Sequence, residues 1–235
     1  MSFLLQVAAW FSDPQHWTGV GGIPNRLLEH VEMSAGATAA GALVALPLGI
    51  LLGHYGRGGN VAISLSNVGR AVPSFGVLVI ALELVGIGAK PAFVALFLLA
   101  IPPMVTNSYV GIRGVDAEVK DAARGMGMRE RKLLTAVEIP LALPLIMAGI
   151  RISAVNVVAT ATLAAEVAWG GLGRYIVDGL GQRDPVQVFA GALLVAMLAI
   201  LTELGLAGVE GILLPGGLKQ QRSRRRWVRP GLKAA

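Results

Sequence analysis

The side chains of this chain that are able to do chemistry are few, and their spacing argues against an enzyme. His16, His30 and His54 stand at no metal-ligand spacing, and no His-Glu-x-x-His occurs. The absence of cysteine excludes disulfides, thiolate–metal sites and thiol redox chemistry. No Gly-x-Ser-x-Gly elbow presents a nucleophile. The glycine-rich turn His54-Tyr55-Gly56-Arg57-Gly58-Gly59-Asn60 lacks the Lys followed by Ser or Thr that a phosphate loop requires, and no Walker motif occurs elsewhere. What remains is charge in apolar surroundings. Arg151, Glu83 and Glu203 lie inside long apolar runs, where a charge costs about 3 kcal/mol or more and marks either a pathway or a pairing. Arg151 is either a near-interface side chain reaching toward water or a functional charge. Glu83 and Glu203 either line a water-filled path or pair with arginine, while Glu166 beside Trp169 reads as interfacial.

The elements that must position these charges are membrane spans. Of 235 residues, 54% are hydrophobic and only 14% charged, against about 25% charged in soluble domains. Segments of about 20 apolar residues fall at Ser34–Gly53, Ala71–Gly88, Pro91–Ile112, Leu141–Ala165 and Val186–Leu214. Met1–Trp10 is apolar but short, without a basic start or a cleavage site, and is expected to be an interfacial helix. Trp10, Trp17 and Trp169 suit an interfacial belt. Val61–Arg70 reads as a short surface helix leading to Pro73. Pro47, Pro73, Pro102 and Pro103 lie in or beside spans, where freed carbonyls need other partners, and kinked packing is the simpler reading over a hinge. Gly49-x-x-x-Gly53 and the series Gly205, Gly208, Gly211 would permit close helix contact. With the N-terminus outside, fourteen of the twenty Lys and Arg fall in the inner pieces 54–60, 113–140 and 215–235, and four fall outside. That excess sets the C-terminus in the cytoplasm. The basic run Lys219–Arg229 is read as pinning the chain to anionic lipid rather than to nucleic acid.

One long inner loop is charged and patterned. Val119, Ala122, Ala123 and Met126 recur at helical spacing as a small apolar face, with Asp116, Glu118, Lys120 and Arg124 around the rest. Gly125 and Gly127 permit a sharp change of direction. A second short helix, roughly Arg129 to Val137, is expected to stop ahead of Pro140.

This loop resembles the EAA loop of binding-protein-dependent ABC import permeases: Glu-Ala-Ala, three residues, Gly, nine residues, Ile-x-Leu-Pro. Asp121-Ala122-Ala123 leads after three residues to Gly127 and after nine more to Val137-Glu138-Ile139-Pro140, with Asp121, Val137 and Ile139 as same-type replacements. Further stretches resemble the osmoprotectant branch that handles glycine betaine, carnitine, choline and proline: residues 122–128, 138–151, 159–165, Gly170-Gly171-Leu172-Gly173 and Arg70-Ala71-Val72-Pro73-Ser74. The resemblance implies an all-α membrane protein with the five-span core of a type I importer permease. It divides the chain into an N-terminal interfacial segment 1–33, a permease domain 34–214 with coupling loop 113–140, and a basic tail 215–235.

It further implies a non-enzymatic subunit of a bacterial plasma (inner) membrane importer. That subunit would pair with a second permease chain, with ATPase subunits that carry ATP and Mg, and with an external substrate-binding protein. This chain itself would bind no cofactor. The residues expected to meet the ATPase are Asp121, Ala122, Ala123, Gly125, Gly127, Val137, Ile139 and Pro140; those expected on a pathway or gate are Pro73, Glu83, Arg151 and Glu203. A permease for another small solute, or a membrane assembly factor whose loop recruits a partner, are the alternatives.

Overall fold

Helices form wherever apolar runs are free of turn residues, and identifiable caps end them. The computed structural model of the chain describes residues 2–59, 64 and 73–214, and the regular elements among them are all helical. Helix α1 (Phe3–Ser12) leads through a 3-10 turn, capped by Asp13, to α2 (Ile23–Tyr55). A hairpin of α3 (Ser74–Val85) and α4 (Ala89–Arg113) follows. The loop carries α5 (Ala117–Gly125) and the single turn α6 (Glu130–Leu133). A π-turn (Leu134–Glu138) feeds α7 (Ile139–Thr160), which tightens into a 3-10 segment, Ala161–Val167. Helix α8 (Gly173–Gln182) precedes α9 (Pro185–Leu213), whose start is fixed by Asp184 accepting from the amides of Val186 and Gln187.

Among the described residues, four helical runs are long and apolar enough to cross a membrane: Ile23–Tyr55, Ala89–Arg113, Glu130–Val167 and Pro185–Leu213. The other expected span, Ala71–Gly88, contains the 12-residue α3. That helix is about 18 Å long at 1.5 Å per residue, short of a hydrocarbon layer about 30 Å thick. Pro73 starts it, and Gly86 and Gly88, at φ +82° and +118°, end it. The described residues thus supply four long helices and one short one. Helix α2 begins at Ile23, ahead of the apolar run from Ser34, because the polar side chains of its first turns find partners. The basic tail 215–235 and almost all of the expected surface helix Val61–Arg70 lie outside the described residues.

Helices α2, α4 and α7 make the centre. On α2, Gly41, Ala45, Gly49 and Gly53 recur every fourth residue toward α4. A Cβ on Gly49 would come within 2.6 Å of the Val105 carbonyl oxygen, and one on Gly53 within 2.8 Å of Ile112 Cβ. Between α4 and α7, Gly149 meets Asn107 and Met104 in the same way. The glycines are therefore what lets these backbones approach. Gly205, Gly208 and Gly211 of α9 have open space instead. Ser153 donates to the Ala100 carbonyl, 2.7 Å away, close to the Pro102-Pro103 pair inside α4.

The bundle has two distinct ends. At one lie His54, Arg113 and the α5–α6 loop. At the other, Gly88 N–H donates to the Val167 carbonyl and Tyr175 Oη to the Gly21 carbonyl. Trp10 is buried there, stacked on His16 and edge-on to Tyr175. Its indole is therefore a packing residue joining α1 to α8, not part of an exposed belt; Trp17 is 48% exposed.

Candidate functional site

Helix α5 is short, amphipathic and polar overall. Asp116 accepts from Glu118 N–H at its start. Its end is a Schellman motif, in which Met128 N–H reaches the Ala123 carbonyl and Gly127 N–H the Arg124 carbonyl. Gly127 supplies the left-handed residue this closure needs, at φ +82°. Gly125, also expected at the change of direction, is the last helical residue and has no positive φ.

The expected apolar face divides in two. Ala123 and the stem of Lys120 are buried against the chain, while Val119 (42% exposed), Ala122 and Met126 (72% exposed) remain open beside Asp121. Arg124 pairs with Glu130 at 3.0 Å and Asp121 at 3.3 Å. These bonds, the one to Glu130 foremost, raise the guanidinium pKa further and keep it charged. The result is a braced helix offering a narrow strip of small and apolar side chains.

After the turn the chain departs from expectation. No break precedes Pro140: α6, the π-turn and α7 run on as one 38-residue rod from Glu130 to Val167. The π-turn takes up the extra residue, so Pro140, second in α7 and without an N–H, causes no interruption. Val137 and Pro140 are half-buried, and Ile139 packs on the cluster of Ile112, Val115, Ala142 and Ile146. These three therefore root the loop in the bundle, whereas Asp121, Ala122 and Gly125 face outward.

Sequence reasoning passed over the charges beneath the loop. Glu138 is 1% exposed, its carboxylate 3.1 Å from Lys120 Nζ and 2.5 Å from His54 Nδ1. Lys120 Nζ also donates to the Ile112 carbonyl at 3.1 Å. The available signal was a carboxylate at the unspecified position of Val-Glu-Ile-Pro, between apolar residues.

Within the bundle, Arg151 of α7 pairs with Glu203 and Glu210 of α9, the latter at 2.6 Å. It is a helix-to-helix clamp rather than a side chain reaching for water, although its Nε has no partner. Glu210, 2% exposed, was missed; its spacing of seven from Glu203 puts both on one face of α9. Glu83 is exposed on α3, and Pro73 stands at that helix's start. Neither is brought to the Arg151 clamp.

At the opposite end, Glu29 accepts from Gly171 N–H at 2.7 Å and pairs with Arg26 at 2.9 Å. His30 bridges the Val158 carbonyl and Leu172 N–H. Burial pushes the Tyr175 phenol up, so it stays a neutral donor to Gly21. Between α2, α7 and α9 runs a groove of about 470 Å³. Small and aliphatic residues line it, with Ser34, Thr38 and Thr202 but no aromatic ring. Among the described residues no group of His, Asp and Glu is placed to hold a metal.

This arrangement has known counterparts. Residues 45–210 match the family described as binding-protein-dependent transport system inner membrane component. The chain is 38% identical over 203 residues to the choline transport system permease protein OpuBB of Bacillus subtilis, covering 86% of this chain and 94% of that one. It is 40% identical over 194 residues to the carnitine transport permease protein OpuCB of Listeria monocytogenes, covering 83% and 89%. The osmoprotectant import permease protein OsmW of Salmonella typhimurium is 30% identical over 204 residues, covering 85% and 95%. Among solved structures, an inward-facing form of the MetNI methionine ABC transporter superposes with a TM-score of 0.71 at 21% identity, over 86% of this chain and 99% of that one. At that identity the likeness concerns the fold alone.

Proposed function

The chain belongs to the family of binding-protein-dependent transport system inner membrane components, and from that premise we propose that it is a permease subunit importing an osmoprotectant: glycine betaine, choline, carnitine or a similar small quaternary amine. It is a multi-pass protein of the inner membrane and a transport subunit rather than an enzyme. The substrate class rests on identities of 30–40% to relatives named for choline, carnitine and osmoprotectant transport.

The observation that carries the mechanism is the exposed strip Val119, Ala122 and Met126 on a capped, braced helix. A separate ATPase chain, bearing ATP and Mg, docks there. Closure of an ATPase dimer draws two such loops together, the spans follow, and the cavity opens to the external binding protein; hydrolysis resets it inward. Both ATP and the docked binding protein favour the outward form, so they couple through it. Selectivity lies mainly in the binding protein, because recognition of a quaternary ammonium uses aromatic faces and the groove supplies none.

The test is ATP-dependent uptake of labelled glycine betaine, choline, carnitine and proline into vesicles holding the permease, its ATPase and its binding protein. Uptake of at least one that requires all three components is expected. Uptake without ATP, or of none, would defeat the reading.

A further inference from the structure

Glu138 is the most deeply buried carboxylate at the loop end of the bundle, and its partners come from separate elements. Lys120 of α5 reaches one oxygen at 3.1 Å, and His54 of the last turn of α2 reaches the other. The same Lys120 Nζ holds the Ile112 carbonyl in the last turn of α4. A second, more exposed route runs in parallel: Arg124 of α5 holds Glu130, and Glu130 stands 3.4 Å from His54 Nε2. Both polar routes from α5 therefore end on one imidazole at the foot of the first spanning helix.

Three physical features make this more than an anchor. Buried charges tolerate few arrangements, since losing one partner leaves the other unmet; such a contact shifts between discrete positions rather than stretching. Glu138 also sits on the π-turn, where the regular helix ladder is interrupted, a feature frequent at functional sites. Finally, α5 is strung between Gly114 and Gly127 and packs on α6 and the π-turn. Its polar ties reach further, to the last turns of α2 and α4.

We propose that Glu138, held by Lys120 and His54, is the joint that carries displacement of α5 into the first and third long helical runs. It is a positioning residue for coupling ATP use to import, and it rests on the importer reading above. Lys120 and His54 act through it.

The experiment uses the assembled permease, ATPase and binding protein in vesicles, with uptake and ATP hydrolysis measured on the same sample. Glu138→Gln keeps the shape and removes the charge; Lys120→Met keeps the stem. Each single variant is expected to hydrolyse ATP while solute moved per ATP falls about tenfold, the scale of a coupling free energy between sites. Because both lie on one link, the double variant is expected to lose about tenfold again in total, not about a hundredfold. Fully additive losses overturn the joint. So does an unchanged ratio of solute to ATP in complexes that assemble normally, and so does a fall in both activities that merely follows loss of assembled complex. Absence of ATP-driven uptake by the unmodified complex would bring down the importer reading itself, with the joint, whereas an active complex with coupled variants sinks the joint alone.

Discussion

Gly127 and Arg151 illustrate two ways in which one residue can be decisive. A Cβ on Gly127 would touch nothing within 4 Å, so the whole demand is conformational, φ +82°. Gly127→Val should therefore cost about 2 kcal/mol locally, while Gly127→Asn costs under about 1 kcal/mol. Uptake should fall steeply in the first and mildly in the second, with membrane insertion unchanged; equal uptake in both would remove the case for the left-handed turn. Gly125→Ala is a control within the same helix, expected to stabilise the isolated subunit by about 0.5 kcal/mol. If uptake nonetheless collapses, the added methyl meets the docked partner. Arg151 is decisive through charge. Arg151→Met takes a partner from the buried carboxylate of Glu210 and should cost about 3 kcal/mol. Glu203→Gln leaves Arg151 its bond to Glu210 and takes one carboxylate out of an apolar run, so it should cost less than Arg151→Met. Thermal unfolding in detergent would read the difference, and a smaller effect for Arg151→Met than for Glu203→Gln would exclude the clamp.

At the scale of elements, backbone approach sets which helices are locked and which are loose. Gly173 opens α8 against the 3-10 end of the α7 rod: a Cβ there would lie 2.2 Å from the Thr162 carbonyl oxygen and 2.7 Å from its Cα. Both are backbone atoms, so no rotamer change can relieve the clash. Gly173→Ala is expected to destabilise by about 1–3 kcal/mol and to loosen the contacts of Glu29 and His30 with Gly171 and Leu172. Proteolysis of the loop 168–172 would detect this, and unchanged resistance would argue that α8 shifts freely. Helix α9 contrasts with α8. Little of it is buried by the rest of the chain, and its hold on α7 includes the Arg151 clamp. The 12-residue α3 is similarly exposed on much of its surface. Short or sparsely covered helices in hydrocarbon call for neighbours, which a second permease chain would supply.

For the whole molecule, the four long helices and one short one among the described residues are too few to enclose a pathway, and they carry a single loop of the kind proposed to meet an ATPase. Two permease chains, identical or similar, are therefore expected to pair and to bind two ATPases. Native mass spectrometry of the extracted complex should give that ratio, and a transport-competent particle with one permease chain would refute it. Topology is a separate matter. The loop end and the Tyr175 end lie on opposite sides of the bundle, and from the Lys and Arg excess the former is expected to face the cytoplasm. A reporter joined after Lys219 should read cytoplasm and one near Gly181 the exterior; labelling of the tail by an impermeant reagent in intact cells would reverse the assignment.

Sequence alone determined the membrane character, because long runs of apolar residues have few other uses. It also determined the patterned helical loop, because helical spacing, a turn glycine and the Asp121-Ala122-Ala123 to Pro140 interval are local properties. The Gly49–Gly53 contact was legible for the same reason, as a periodic absence of side chains. Only the tertiary structure decided where charges find each other. Glu138, Lys120 and His54 are separated by up to 84 residues, and Arg151 lies 52 and 59 residues from its two carboxylates. Pairing across such separations depends on helix register and approach, which no local pattern encodes. The same holds for Pro140, read as a stop from its neighbours but carried through by a π-turn, and for Trp10, whose apparent surface role gave way to a pocket that joins His16 to the distant Tyr175. Local sequence limits which conformations each segment adopts; the fold then selects among them by burying glycine against backbone and charge against charge.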